Sequence, residues 1–421
     1  MSEFSSYGLV IAASLIIIIS YFFNIISRKT NVPSVLLLIL LGILINESLI
    51  IFGIKTLNLL TFLEVFGIVG LILIVLEAAL DLELTKDKWP IIWKSGSIAL
   101  LSLIVTTFII SLLFKVFLNT DIFVSMIYAI PLSIMSSAIV IPSVVNLDNY
   151  KKEFMIYESA ISDILGIMFF YFLIESAEIH GAGKITLSIL TNVSITIVIS
   201  ILLSYLLIYI FQKIKTKVKL FLLIAVLTLL YTVGKMLHLS SLIVILTFGL
   251  MLHNRHIFFR GKLKKLIIED AIDNIYKTFK VITIESSFVV RTFFFVIFGL
   301  TISLASLLKI KVIIISILVL AILYGIRFLL IRLFFRKDNK LLLYIAPRGL
   351  ITILLFFAIP EQYHVEEFDS GILLFIIIVS SIIMAVALVK NKKSIKEQTE
   401  EPDTINSEFT EKTDYNSDIL I

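Results

Sequence analysis

The sequence predicts an all-α protein that crosses a bilayer about thirteen times. Three observations carry that expectation. Of the 421 residues, 59% are apolar and the mean hydropathy is +1.08, far above that of an ordinary soluble chain. Apolar runs of about 20 residues recur along most of the length, each long enough to cross hydrocarbon. Basic residues concentrate in alternate loops, as they do on the cytoplasmic side of polytopic proteins.

Taken in order, the runs lie near residues 7–26, 33–51, 60–82, 91–117, 122–146, 153–174, 185–211, 219–236, 239–252, 285–304, 310–334, 342–361 and 369–389. Met1 to Tyr7 lacks a basic segment, so the first run is expected as a retained helix. With the N-terminus outside, the inner loops hold Arg28 and Lys29, Lys86 and Lys88, Lys151 and Lys152, Lys213 to Lys219, and Arg332 to Lys340. The acidic stretch Glu361 to Glu367 then falls outside, and the C-terminus lies in the cytoplasm. Residues 253–283 mix basic and apolar side chains and read as a cytoplasmic amphipathic connector at the headgroups, or else as a solvated link. Residues 391–421 are polar and are expected as a disordered cytoplasmic tail, which leaves 1–390 as the transmembrane domain.

Composition also excludes. The net charge of +5 resides in short loops, which argues against a nucleic-acid partner. The chain has no cysteine, hence no disulfide or thiol chemistry, and its five histidines show no metal-ligand spacing. Nothing supports a soluble enzyme, and no organic cofactor is expected.

Two spans look broken. Pro131 and Pro142 bracket Ser133, Ser136 and Ser137 in the fifth; Pro347 and Gly349 flank Arg348 in the twelfth. Proline removes a backbone donor, and freed backbone groups at depth must face protein or a hydrated cavity. An offset of seven spans gives the two opposite membrane orientation, as an inverted-repeat transporter requires. Ordinary proline kinks are the alternative.

The charged residues at depth point to chemistry. The sixth span contains Glu158-Ser159-Ala160-Ile161-Ser162-Asp163. Glu158 lies roughly 9 Å beyond Lys152 at the helical rise, and Asp163 falls near mid-membrane. Ser159 and Asp163, four apart, share a face; Glu158 and Ser162 share its neighbour. Oxygen ligands suit a small hard cation, and burial favours the protonated form of a carboxylate. One group that holds either a cation or a proton is what exchange of the two needs; a structural acid is the alternative for each. Arg291 in the tenth span has a depth similar to that of Glu158 and is expected to pair with it, with Glu285 as a second candidate. Glu77 reads as structural or as part of an entry funnel, Asp81 as interfacial. Arg348 is expected on the carbonyl ends of the broken twelfth helix, and Arg327 is expected to snorkel to the cytoplasm.

These residues resemble a known family. Glu158-Ser159-x-x-Ser162-Asp163 is similar to the Glu-Ser-x-x-Asn-Asp signature of monovalent cation:proton antiporters, the sodium/proton exchanger superfamily, in its NhaP-like branch. Arg291 to Gly299, Val32-Pro33 to Gly42, Leu76 to Leu82 and Pro347-Arg348-Gly349-Leu350 resemble further helix motifs in the same order, so the likeness covers about residues 7–390. It implies the sodium/proton antiporter fold: about thirteen helices with inverted repeats, two discontinuous crossing helices and a core near 91–174 and 310–389. It implies a homodimer in the cytoplasmic (inner) membrane and elevator-type alternating access. Asp163 would bind the ion and the proton, with Ser159 as a Na⁺ ligand and Ser162, Ser136, Ser137 and nearby carbonyls as further ligands; Glu158 would be held by Arg291. Two departures stand out: Ser162 replaces the family's Asn, and Ser136-Ser137-Ala138 stands where the branch commonly has Thr-Asp-Pro. With one free carboxylate the exchange is expected to be electroneutral. Na⁺ is the expected substrate, with Li⁺ possible; a K⁺/H⁺ antiporter, or a non-transporting sensor or assembly protein of this fold, are the alternatives.

Overall fold

The computed structural model describes residues 6–30, 32–52, 60–176, 182–214, 219–236, 241–301, 304–335 and 339–400. Among these the regular structure is helical throughout. The long N-terminal helices are α1 (Ser6–Thr30), α2 (Ser34–Ile51), α3 (Leu60–Asp81) and α4 (Trp89–Phe117). The fifth span is two pieces, α5 (Ile122–Ser133) and α6 (Ser137–Ser143), followed by α7 (Asn149–Ser176). Then come α8 (Ala182–Lys213), α9 (Lys219–Met236), α10 (Ser241–His253), the short α11 (Arg255–Phe258) and α12 (Glu269–Thr301). The chain ends with α13 (Leu304–Leu307), α14 (Ile310–Phe334), α15 (Lys340–Tyr344), α16 (Leu350–Phe357) and α17 (Gly371–Glu400). Among the described residues nine helical stretches are long and apolar enough to cross a bilayer, and Phe221–Gly234 and Leu242–His253 are shorter apolar helices. Their apolar faces are exposed on the outside of the bundle, as on Val10, Leu15, Phe108 and Leu329, because acyl chains rather than water are the surrounding medium.

Two packing groups follow from the contacts. In one, α4 packs on α5, α7 and α14, and α14 on α15 and α17. In the other, α12 packs on α2 and α3, and α10 on α3, α8 and α9. The α2–α12 crossing is close because Gly42 and Gly299 face each other: a Cβ on Gly42 would overlap the Val296 carbonyl, and one on Gly299 the Ile39 carbonyl. Small residues allow backbones to approach in this way in membrane helix pairs.

Two boundaries differ from the sequence reading. The connector is helical α11 and a 3₁₀ turn (Gly261–Leu266); from Glu269 onward its residues are the first half of α12. Glu269 and Asp270 suit a helix N-terminus, and Ile272, Ile275, Phe279 and Thr283 are buried at three- and four-residue spacing, so one stripe runs unbroken into the span. At the C-terminus α17 runs through Glu400, since no glycine or proline interrupts residues 372–400. The remainder of the expected tail, 401–421, lies outside the described residues.

Candidate functional site

The breaks in the fifth and twelfth spans meet. Residues 134–136 are extended between α5 and α6, with Ser136 at φ −77°, ψ 112°. The second break, at 345–349, separates α15 from α16. The Ser136 N–H donates to the Pro347 carbonyl at 3.0 Å, which ties the two breaks where they cross. Extended backbone at this depth leaves amides and carbonyls without helical partners, and the neighbouring side chains answer them.

From α7, Ser162 and Asp163 face the first break. The Ser162 Oγ accepts the Met135 N–H at 3.0 Å, and the Asp163 Oδ2 accepts the Ser137 N–H at 3.0 Å. α7 comes this close because residue 166 is glycine; a Cβ there would overlap the Ile134 side chain. Asp163 is only 2% exposed, yet its Oδ1 has no hydrogen-bond partner. The Ser136 Oγ, also buried, has none. Ser159 donates to the Ile156 carbonyl at 3.2 Å and keeps its lone pairs available. The structure thus gathers Asp163, Ser162, Ser136 and Ser137 at the crossing, with Ser159 one turn before Asp163 on α7. Buried oxygens without partners are costly, and here they belong to the residue types that ligate a hard cation.

Arg348 closes the crossing from the other side. It is 3% exposed, and its Nε donates to the Leu132 carbonyl at 2.8 Å, its Nη1 to the Ala346 carbonyl at 2.7 Å. Its guanidinium therefore holds a carbonyl at the end of α5 and one inside the second break, so it serves the fifth span as well as the twelfth that the sequence suggested. Its own N–H donates to the Ser380 Oγ on α17.

The expected Glu158–Arg291 pair does not form. Glu158 is held by Arg327 of α14, with Nη1 to Oε1 at 2.6 Å and Nη2 to Oε2 at 3.1 Å. The two side chains are 1% and 5% exposed, and Arg327 also donates from Nε to the Leu342 carbonyl at 2.9 Å. Arg327 does not snorkel: it lies on the buried stripe of α14 with Leu323 and Leu330, and that three- to four-residue spacing was the available signal. Arg291 instead meets Glu77 of α3 at 3.5 Å, and Ser287 donates to the other Glu77 oxygen at 2.6 Å. α12 packs on α3 rather than on α7, so Arg291 has the right depth for Glu158 and the wrong neighbours. Glu285 is exposed, on the opposite side of α12 from Ser287.

The sequence places Lys86 and Lys88 in an inner loop but carries no sign of how that loop is fastened. Residues 82–88 join α3 to α4 and are fastened on both sides. Asn254 donates to the Leu82 carbonyl at 2.7 Å and accepts the Leu84 N–H at 2.6 Å, while Tyr157, next to Glu158 on α7, donates to the Glu83 carbonyl at 2.6 Å. Lys88 bridges Glu83 at 2.9 Å and Glu153 at 3.3 Å. The hydrogen bond from Lys88 holds the Glu83 carboxyl below its usual range, and the same bond pushes the Lys88 ammonium up to about 12.

Comparison with known proteins agrees with this geometry. The family model described as sodium/hydrogen exchanger, transmembrane, matches residues 12–390. A structure of the sodium proton antiporter MjNhaP1 from Methanocaldococcus jannaschii at pH 8 superposes with a TM-score of 0.67 at 20% identity, covering 90% of this chain and 95% of that one. A three-dimensional electron-microscopy map of the same antiporter gives a TM-score of 0.66 at 19% identity, with coverages of 93% and 96%. No curated protein sequence matches the chain. A match over nearly the whole length, on a fold with two crossing broken spans, makes this chain a multi-pass membrane member of the sodium/hydrogen exchanger family, a family of transporters and not of enzymes.

Proposed function

We propose that the protein exchanges cytoplasmic Na⁺ for external H⁺ at Asp163 in a cytoplasmic membrane, one ion for one proton, as a homodimer with its N-terminus outside. The observation that carries this reading is the buried Asp163 with one oxygen on the Ser137 N–H and the other unpartnered, beside an equally unpartnered Ser136 hydroxyl. The cation binds Oδ1 together with Ser136, Ser159 and backbone carbonyls of the break; a proton on Asp163 removes the charge that held it. Proton and cation are therefore alternatives, and coupling follows from competition for one oxygen.

Charge counting supports electroneutrality. Glu158 is engaged at both oxygens by Arg327, so it is not a second carrier of protons. Arg348 is fixed on neutral carbonyls. Asp163 loaded with H⁺ or with Na⁺ then leaves the crossing with the same net charge. Alternating access moves α4–α7 and α14–α17 past the second packing group, in the manner of an elevator.

The test is purified protein in vesicles with an imposed pH gradient. Added Na⁺ should dissipate the gradient, K⁺ less so, and Asp163→Asn should reduce the signal to that of protein-free vesicles. Retained exchange in Asp163→Asn would remove Asp163 from the transport site. A rate that follows an imposed membrane potential would remove the one-for-one stoichiometry.

A further inference from the structure

A cavity of about 230 Å³ lies where α4 and α7 meet α10, apart from the ion site. Its walls include Leu103 and Ile104 of α4, Leu165, Phe169 and Phe172 of α7, and Ile243 of α10, and every lining side chain is apolar. The floor is deep: Leu103 is 1% exposed and Ile243 4%. The mouth is open, with Leu100 at 43% and Ile104 at 48%. Beyond the mouth the same face of α4 continues through Leu101, Val105 and Phe108, all exposed and all within a span.

Three arguments identify the occupant. Water would find no hydrogen-bond partner here, and apolar cavities stay dry. A void of this size deprives its lining of dispersion contacts on one side. The medium at the mouth is hydrocarbon, because this stretch of α4 lies inside the bilayer. We propose that the groove is a binding site for one acyl chain of a membrane phospholipid, which leaves the lipid layer along α4 and lies between α7 and α10. The chain thus occupies the seam between the two packing groups, and Phe169 places it six residues along α7 from Asp163. The inference stands independently of the ion-site reading, since its test reads labelling and not transport.

The full chain is reconstituted in phosphatidylethanolamine–phosphatidylglycerol vesicles doped with phosphatidylcholine that bears a photoreactive diazirine on one acyl chain. After illumination, adducts are mapped by mass spectrometry. The expected result is labelling of the floor residues Leu103 and Ile243, alongside Val10 and Leu15 on the exposed face of α1 as references. Leu103→Trp, which fills the floor, should lower Ile243 labelling at least fivefold relative to those references; Met168 of α7 also lines the cavity, and Met168→Trp serves if that variant does not reconstitute. Adducts confined to Leu100, Ile104 and α1 would mean ordinary lipid contact and overturn the site. Unchanged Ile243 labelling in the filled variant would overturn it too, as would floor labelling by a free diazirine-bearing alkane but not by the phospholipid.

Discussion

Among the described residues two glutamate–arginine pairs lie at membrane depth, one in each packing group, and they are built differently. Glu158 and Arg327 are joined at both oxygens and are almost fully excluded from the surface. Glu77 and Arg291 touch once, at 3.5 Å, with side chains 19% and 20% exposed and a serine completing the acid's shell. The first pair fastens α7 to α14 and, through the Leu342 carbonyl, to the segment leading into the second break. The second decorates an α3–α12 contact that apolar packing and the neighbouring Gly42–Gly299 crossing of α2 and α12 already define. The group that carries the proposed ion site thus has the buried charge pair, and the other has the close backbone approach of Gly42 and Gly299.

That contrast can be broken by substitution. Arg327→Ala strands the Glu158 carboxylate in a dry interior, and removing one partner of a buried pair costs about 3–5 kcal/mol. The expected outcome is a large fall in the melting temperature of detergent-solubilised protein and loss of exchange. In the other group the larger effect should come from glycine: Gly42→Ala forces α2 from α12, at about 1–3 kcal/mol for an overpacked contact. Arg291→Ala should lower the melting temperature less than Arg327→Ala, because the pair touches once, at 3.5 Å, and Ser287 still serves Glu77. If Arg291→Ala destabilised the protein as much as Arg327→Ala, the distinction between the two pairs would be wrong. Double-mutant cycles on each pair would sharpen it, with the larger coupling expected for Glu158–Arg327.

The smallest effect concerns pH. Glu83 titrates below its ordinary value of 4.5 because Lys88 donates to it. A depressed folded-state value means that its contribution is fully present above that ordinary value and is lost as pH falls through the lower one. Glu83 is 45% exposed, so solvent screening limits the contribution to about 0.5 kcal/mol or less. Thermal melts from pH 7 downward should show wild type and Glu83→Gln differing near neutrality and converging below pH of about 4.5. A gap that widened on acidification would reverse the assignment.

Much of the site was legible in the sequence. Two acids and two hydroxyls within one apolar run of α7 mark a place where burial must be answered by partners, and serines bracketed by prolines in the fifth span mark a stretch where helical bonding is weakened. Arg291 reads as a buried cation that needs a carboxylate, and it meets Glu77 instead of the expected Glu158; Glu77, which reads as structural or as part of an entry funnel, gave no sign of that pairing. Asn254 was not legible at all: an asparagine in a basic linker carries no sign that it will clasp Leu82 and Leu84, some 170 residues earlier in the chain.

By itself the sequence determined which stretches lie at membrane depth, because hydropathy is a local property of the chain, but not that Arg327 is buried and does not snorkel. It marked the fifth and twelfth spans as irregular, because proline and glycine act on their own backbone, but the opening at residues 134–136, between Pro131 inside α5 and Pro142 inside α6, was decided by the fold. Only the tertiary structure decided who meets whom. Arg291 and Arg327 both sit in apolar spans that offer an ionised group little but a carboxylate, and depth alone favoured Arg291. Which one reaches Glu158 depends on whether α12 or α14 lies within a side chain's length of α7, and that is set by packing among helices far apart in sequence. The same packing turned two separate breaks into one crossing, where the Asp163 carboxylate and the Ser136 hydroxyl are left with unfilled oxygens.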